Sequence, residues 1–199
     1  MMHHPPQTGV SPKAAPTPAT QSLCNVPIQT RALQGVCIVS SLPNPIEELL
    51  TAYSAGPALL RESVRGLTAE QVWTPAPPGR WSALEVVCHI SDFELVYADR
   101  MKRVVAEERP TLFGGDPDLF AAKLAYGQRD LEEELAVIDS VRKQVTRFLR
   151  TLDAAAFERL GVHSDNGPLT LATLLKRIAG HIPHHAEFIR QKRPNLGAG

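Results

Sequence analysis

Four segments after residue 45 carry apolar side chains at the spacing of an amphipathic helix, and this pattern most constrains the fold. They cover residues 46–67, about 82–108, roughly 117–151, and a stretch that begins near residue 169. Apolar residues recurring at i, i+3, i+4 and i+7 predict helices that each bury one face. The sequence has no strand-like alternation of any length and no internal repeat. Four long helices joined by moderate loops predict an all-α fold, a four-helix bundle.

The second predicted helix has the clearest start signal. Ser82 is a favourable N-cap, Glu85 three positions later completes a capping box, and Trp81 before the cap can supply a hydrophobic staple. Pro57 is expected to kink or interrupt the first helix near its middle, because proline removes a backbone donor. Residues 74–80, TPAPPGR, are expected to form a stiff, extended connector.

The N-terminal part of the chain differs in composition from the rest. Residues 1–42 are rich in proline, contain no acidic residue, and have only Lys13 and Arg31 as lysine or arginine. Such a stretch cannot bury enough apolar surface to order itself. The sequence therefore predicts a disordered extension over 1–42, one bundle domain over 43–193 and a short tail over 194–199. A mildly apolar run near the end of the extension leaves a signal peptide or a later translation start as alternatives.

Charge and composition exclude several classes of function. Basic and acidic residues balance at 21 each, so no net field attracts the chain to nucleic acid or to an anionic membrane. Aromatic residues make up 6%, which disfavours a stacking platform for bases. The sequence has no apolar run of about 18 residues that could span a membrane. Three cysteines without CxxC pairing are typical of a reducing compartment, so a cytoplasmic protein is predicted.

The segment GHIPHHAEFI, residues 180–189, places three histidines within five positions on the fourth helix. At about 100° per residue, His181 and His185 lie within the apolar stripe, and His184 lies near its edge. Two imidazoles at i and i+4 on an inward face can share one metal ion. Pro183 lies between them, so a bend in the helix is expected at the histidines.

A zinc site of the catalytic kind needs a third protein ligand and an open position. The candidates are His89, about two turns into the second helix, and His163, in a loop rich in Gly, Asp and Asn. Each also fits a plainer role, as a neutral core imidazole at 89 and a solvated turn residue at 163. The spacing leaves the third ligand open. It also leaves a metal-free, pH-responsive cluster that titrates near the ordinary histidine pKa of about 6.5.

Two stretches together resemble the DinB-like (DinB/YfiT) superfamily, namely PPGRWSALEVVCHISDFELVYADR and, far later in the chain, GPLTLATLLKRIAGHIPHHAEFIR. They combine a Trp-Ser helix start, a histidine eight positions after the Trp, and a late helix with H-x-x-x-H. The resemblance covers about residues 43–193. It implies an up-down-down-up four-helix bundle, often dimeric, with one divalent metal ion, commonly zinc or nickel, held by three histidines. Carried over by position, the ligands are His89, His181 and His185, and His184 is not matched to a ligand position.

The resemblance implies two kinds of chemistry at such a site. A divalent ion held by three neutral imidazoles can acidify a bound water for hydrolysis or ionise a bound thiol for transfer. Characterised relatives include hydrolases, and transferases or isomerases that use low-molecular-weight thiols. The expected function is a metal-dependent hydrolase or thiol S-transferase acting on a small molecule. The alternative is a non-catalytic metal-binding or stress-response bundle whose site is closed by a fourth protein ligand.

Some neighbouring residues have candidate supporting roles. Glu85 and Asp92, at i−4 and i+3 from His89, could orient the outer ring nitrogen of that histidine, although Glu85 also fits the capping box and Asp92 an ordinary helix surface. Cys88 is turned about 100° from His89 and is expected to be a buried small side chain, not a nucleophile. Basic residues that could hold the acidic groups of a thiol follow on the second and third helices: Arg100, Lys102, Arg103 and Arg129.

Overall fold

The computed structural model describes residues 42–75 and 79–193. The extension predicted over residues 1–42, apart from its last residue, and the tail predicted over 194–199 lie outside the described residues. Within them the elements are, in chain order, α1 (Asn44–Val64), α2 (Ala69–Trp73), α3 (Ala83–Ala106), β1 (Thr111–Leu112), α4 (Pro117–Lys123), a 3₁₀ turn (Tyr126–Gln128), α5 (Leu131–Leu149), a second 3₁₀ turn (Ala154–Glu158), β2 (Leu160–His163), β3 (Gly167–Thr170) and α6 (Leu171–Lys192). None of these helices is long and apolar enough to cross a membrane.

The four long helices form a ring in which each packs against two others. Helix α1 contacts α5 and α6, and α3 contacts the same two helices. Side-chain pairs give the relative direction of α1 and α5. Glu47 near the start of α1 pairs with Arg150 just after α5, and Arg61 near the end of α1 pairs with Glu132 at the start of α5. Helices α1 and α5 therefore run antiparallel.

Helices α3 and α5 run parallel. Asp92 in the first half of α3 pairs with Arg129 just before α5, and Lys102 near the end of α3 bonds to Gln144 near the end of α5. A parallel neighbour requires a connection that returns along the bundle. The segment between these helices makes that return and contains β1 and α4.

Helices α3 and α6 run antiparallel. The start of α3 meets the end of α6, where the Lys192 ammonium donates to the carbonyl oxygen of Trp81. Farther along α3, His89 meets His181, which precedes Lys192 by three turns of α6. Two of the long helices thus point one way and the two between them in sequence point the other. The predicted all-α, up-down-down-up four-helix bundle is confirmed.

The start of α3 is built as its sequence predicts. The Ser82 hydroxyl accepts a hydrogen bond from the Glu85 backbone N–H at 3.2 Å, and the Glu85 carboxylate accepts one from the Ser82 N–H at 2.7 Å. Two of the orphan donors of the first helical turn are therefore satisfied. Trp81 packs, partly buried, against an apolar cluster that includes Val86. This cap fixes where α3 begins, and with it the position of His89 on the second turn.

Pro57 does not interrupt α1, which runs without a break from Asn44 to Val64. Proline at 57 leaves the carbonyl of Tyr53 without its usual helical donor. The guanidinium of Arg142 on α5 donates to that oxygen at 2.6 Å. A side chain from another helix thus replaces the missing bond, and the expectation of an interruption at Pro57 is wrong for this reason.

The third predicted helix, roughly 117–151, is divided. Helix α4 ends at Lys123, and α5 begins only at Leu131. Between them Ala125 has φ 53°, in the left-handed region, which a right-handed helix cannot accommodate. The Asp130 side chain then caps α5 by accepting from the Glu133 N–H at 2.9 Å. Apolar spacing on both sides of this break reads as one helix, and so the break was not predicted.

A small three-stranded sheet was also missed. Strand β1 pairs parallel with β2, which pairs antiparallel with β3 through a tight turn. Strands of two to four residues are too short to display a period of two. The local signal was Asn166-Gly167, a sequence typical of hairpin turns, in which Gly167 has φ 68°. The segment read as a plain loop is therefore a hairpin.

A buried charge cluster joins all four long helices. Arg142 on α5 is 1% exposed and pairs with Glu94 on α3, which is 0% exposed. Its Nε donates to Glu94 at 2.9 Å, and another guanidinium N–H donates to the Ile178 carbonyl on α6 at 2.9 Å. Tyr53 on α1 donates its hydroxyl to the second Glu94 oxygen at 3.1 Å. One side chain therefore fixes the positions of three neighbouring helices.

The close approach of Arg142 to α1 depends on Gly56. A Cβ atom at Gly56 would lie 2.0 Å from Nη1 of Arg142, whereas one at Gly180 would meet nothing within 4 Å. We expect Gly56→Ala to lower the free energy of unfolding by about 1–3 kcal/mol, because the pinned guanidinium must move. We expect Gly180→Ala, also inside a helix, to raise it by about 0.5–1 kcal/mol. Urea unfolding of both variants with chelator present tests the pair, and equal stability of the two would contradict the packing described.

Candidate metal centre

Three histidines from two antiparallel helices meet near one end of the bundle. His89 comes from the second turn of α3, and His181 and His185 come from successive turns of α6. One ring nitrogen from each lies within 4.8 Å of the others. The Nε2 atoms of His89 and His181 are 3.0 Å apart. Among the described residues, this is the group of histidine, cysteine and acidic side chains whose spacing could hold a metal ion.

The helical spacing explains why the three rings converge. Residues four apart on α6 lie one above the other on the same face, so His181 and His185 both face α3. Their ring centroids are 4.6 Å apart, and each is 4.8–4.9 Å from that of His89. Pro183 lies within α6 without ending it. The i, i+4 pattern therefore delivers the inward-facing pair expected from sequence.

The surroundings keep these imidazoles neutral. Burial lowers the pKa of His89 to about 4, partly opposed by the charge of Asp92. Burial also lowers the pKa of His185 to about 4, with His89 adding to the effect. The pKa of His181 falls to about 2 through burial and the two neighbouring rings. A neutral imidazole carries the lone pair that binds a metal, so at neutral pH all three rings are in the ligand form.

The hydrogen bonding of the rings fits a cation. Nδ1 of His89 and Nδ1 of His181 are buried and have no hydrogen-bond partner among the described residues. The proton of each neutral ring can therefore reside on Nδ1, which leaves the two Nε2 lone pairs facing each other. Two nitrogens about 2.0–2.1 Å from one tetrahedral ion would be separated by roughly 3.3 Å, close to the observed 3.0 Å. The donor set and its spacing suit one divalent ion.

Aromatic side chains surround the cluster on the protein side. The rings of Trp81 and Phe93 lie 5.1 and 4.6 Å from that of His89, and Phe188 lies 6.0 Å from His185. The sequence analysis did not identify Phe93 or Phe188 as part of the site. Their spacing was the available signal, because Phe93 is four residues after His89 and Phe188 three residues after His185.

A cavity of about 540 Å³ opens beside His185. Its walls include the aromatic rings of Trp81 and Phe188, and its charged lining residues are Arg80, Asp118 and Lys192. The charges of Asp118 and Lys192 act on the histidines, since Asp118 opposes the lowering of the His89 pKa and Lys192 adds to that of His185. The metal-ligating candidates therefore line a space large enough for a small molecule.

The residues expected to support His89 have other partners. Glu85 is engaged in the helix cap, which was its plainer interpretation. Asp92 accepts from Arg129 at 2.9 Å, and neither carboxylate accepts from the outer nitrogen of His89. His184 is exposed and stacks on the rings of His185 and Phe188 outside the cluster. No fourth protein ligand from the described residues joins the three histidines.

The other third-ligand candidate, His163, lies away from the cluster. It ends β2, is 6% exposed, and its Nδ1 accepts from the Asp165 backbone N–H at 3.1 Å. The expected solvated turn residue is therefore a buried, hydrogen-bonded one, because the hairpin tucks this ring under Arg100 and its neighbours. Cys88 is buried, and burial raises the pKa of its thiol to about 12, as expected for a packing residue.

The basic residues considered for thiol binding are engaged elsewhere. Lys102 bonds to Gln144, Arg103 pairs with Asp99 and Glu107, and Arg129 pairs with Asp92. Arg100 is buried and donates to the Phe113 carbonyl. The cations that line the cavity are Arg80 and Lys192, which the sequence analysis did not select.

Known proteins with similar sequences carry names that agree with this site. The chain is 28% identical over 152 residues to a protein of Oceanobacillus iheyensis, an alignment that covers 76% of this chain and 84% of the relative. It is 27% identical over 140 residues to a protein of Bacillus mycoides, covering 70% and 80%. Both relatives are named "Putative metal-dependent hydrolase".

A solved structure has the same fold. YfiT from Bacillus subtilis, described as "a probable metal-dependent hydrolase with an unusual four-helix bundle topology", superposes with a TM-score of 0.73 at 25% identity. The match covers 80% of this chain and 92% of YfiT. The model of the DinB superfamily matches residues 52–189, a span that contains α3, α5, all but the last turn of α6 and all three clustered histidines. The chain belongs to the DinB superfamily.

Proposed function

We propose that this chain is a divalent-metal-dependent hydrolase in which His89, His181 and His185 hold one ion. The observation that carries this proposal is the convergence of three neutral imidazoles beside an open cavity. An ion bound there would supply a Lewis acid for a carbonyl or phosphoryl oxygen of a small substrate. The names of the relatives support the same reaction class.

The chain's own residues provide the rest of the site. Trp81 and Phe188 form apolar walls that exclude water and orient the body of the substrate. Asp118 is the carboxylate that lines the cavity, and it is placed to accept a proton or a hydrogen bond from a substrate. No catalytic serine or cysteine is required, since Cys88 is buried and its thiol is protonated at neutral pH.

The identity of the metal is part of the proposal. Imidazole nitrogens suit zinc and nickel among the common divalent ions, and these are the two ions we propose. A structural ion is the competing interpretation. It would join only α3 and α6, and it would favour a fourth protein ligand, whereas Asp92 is paired with Arg129 and His184 is exposed. These contacts favour an open, reactive site.

The proposal is tested by measuring metal content and hydrolysis on the same preparation. We expect about one zinc or nickel ion per chain. We also expect hydrolysis of members of a panel of small esters, amides and phosphoesters that is lost on chelation and regained on reloading. A parallel panel of low-molecular-weight thiols with electrophiles tests the S-transferase alternative. A loaded protein active only in the thiol panel would replace the hydrolase assignment, and a protein that binds neither metal would overturn both.

A further inference from the structure

Two cations from different parts of the chain meet at the cavity beside His185. Arg80 lies just before the cap of α3, and Lys192 is the last residue of α6. Both line the cavity. The Lys192 ammonium donates to the Trp81 carbonyl, a bond that holds it across the mouth of the cavity. The antiparallel packing of α3 and α6 thus places the two positive charges on one side of the candidate active site.

Neither cation is neutralised within the described part of the chain. No ion pair to Arg80 or Lys192 forms there, whereas Arg190, two residues earlier on the same helix, pairs with Glu187 at 2.9 Å. Lys192 is half-buried. Burial lowers the pKa of its ammonium, Glu85 opposes this, and the nearby charge of Arg80 lowers the pKa further. Two like charges are therefore held close together where a bound anion would relieve their repulsion.

We propose that Arg80 and Lys192 bind a single carboxylate or phosphate group of the substrate, while its apolar body lies against Trp81 and Phe188. Guanidinium and ammonium groups form charge-assisted hydrogen bonds with both kinds of anion. Asp118 lines the same cavity, so a substrate with one anionic end and a neutral reacting end fits better than a polyanion. This inference rests on the proposed function, since it names the substrate class of the same site.

The test compares ligands of similar size and different charge on the full chain at a measured metal content. Phenylacetate, phenyl phosphate and uncharged 2-phenylethanol are titrated by calorimetry, with quenching of tryptophan fluorescence as a second readout of the Trp81 wall. We expect at least one of the two anions to bind about tenfold or more tightly than the alcohol, because it gains charge-assisted bonds that the alcohol lacks. The stronger of the two identifies the group as carboxylate or phosphate.

Variants separate the cations from a bound metal, which could itself hold an anion. We expect the double variant Arg80→Gln, Lys192→Gln to lose most of the preference for the anion. Lys192→Arg should keep it because the charge is kept. The matched control Arg190→Gln, which removes an exposed and already paired cation, should also keep it.

Two results would overturn the inference. The first is equal affinity for the anions and the alcohol in metal-loaded protein. The second is a preference that survives unchanged in the double variant, since the anion would then bind elsewhere. Elemental analysis of each preparation keeps the two proposals distinct. Absence of metal after reconstitution counts against the hydrolase, whereas loaded protein without the cation-dependent preference counts only against this substrate class.

Discussion

Replacing Arg142 with alanine is expected to lower the free energy of unfolding by about 3–5 kcal/mol, because it leaves a buried carboxylate without its partner. Glu94 is fully buried and receives the Arg142 guanidinium and the Tyr53 hydroxyl. The same substitution removes the donors to the carbonyls of Tyr53 and Ile178. The Tyr53 carbonyl has no helical donor because of Pro57, so its loss is not compensated within α1.

The pH dependence of this loss has a definite sign. Burial raises the pKa of Glu94 above its ordinary value, and Arg142 opposes that effect. Without Arg142 the pKa of Glu94 rises further, so the folded variant holds a proton that the unfolded chain releases above about pH 4.3. Stability then falls as pH rises through this window, because the folded state binds more protons. The deficit relative to wild type should be larger at pH 8 than at pH 5.

Urea unfolding followed by circular dichroism at these two pH values measures the effect. Arg147→Ala is the matched control, since Arg147 is exposed on the same helix, and we expect it to change stability by no more than about 0.5 kcal/mol. The double variant Glu94→Gln, Arg142→Met should be more stable than Arg142→Ala, because no uncompensated charge remains. If Arg142→Ala unfolds at the urea concentration of the control, the buried cluster does not have the role described.

The fold was predictable because its determinants are repeated along the sequence. Each long helix has an apolar face of many residues, and the Ser82–Glu85 cap is a local pattern that needs no tertiary information. The break at Ala125 and the hairpin at Gly167 depend on single residues. A one-residue signal is weaker than a repeated period, and for this reason both were missed.

The candidate site was predictable only in part, for a related reason. His181 and His185 are neighbours on one helix, so their spacing alone places them together. His89 is far away in sequence, and the residues alone did not distinguish it from His163; the family resemblance did. The cavity charges come from loop, helix start and helix end, and nothing in the local sequence of Arg80 or Asp118 indicates that they share a wall with His185. Such a set becomes visible only when the helices are packed.

The glutamate–arginine cluster illustrates a third limit. Arg142 occurs in a helix whose exposed face is rich in charge, and sequence periodicity offers no reason to separate it from Arg147 or Lys143 on the same helix. Its burial depends on Gly56, which leaves room for the guanidinium, and on Glu94, which neutralises it. Three helices must therefore be positioned before the role of Arg142 can be inferred. The same cluster holds α6 at Ile178, one turn before His181.

Removing any one of His89, His181 or His185 by alanine substitution is expected to weaken zinc or nickel binding by more than about 100-fold. Loss of an outer partner of a ligand typically costs 10–100-fold, and loss of the ligand itself costs more. The apo fold should persist in His181→Ala, because Nδ1 of this ring has no hydrogen-bond partner within the described residues and no buried group is left unpaired. Competition titration against a chelator measures the affinity, and circular dichroism checks the helices.

His184→Ala is the matched control for these three variants. His184 lies next to His185 on α6 but is exposed and outside the group of converging nitrogens. We expect it to bind metal as tightly as wild type, whereas a model in which any histidine of the H-I-P-H-H segment recruits the ion predicts a comparable loss. Wild-type affinity in all three alanine variants would remove the basis for a metal site. Loss in His184→Ala but not in His89→Ala would relocate the ion to the outer face of α6, away from the cavity that the proposed substrate enters.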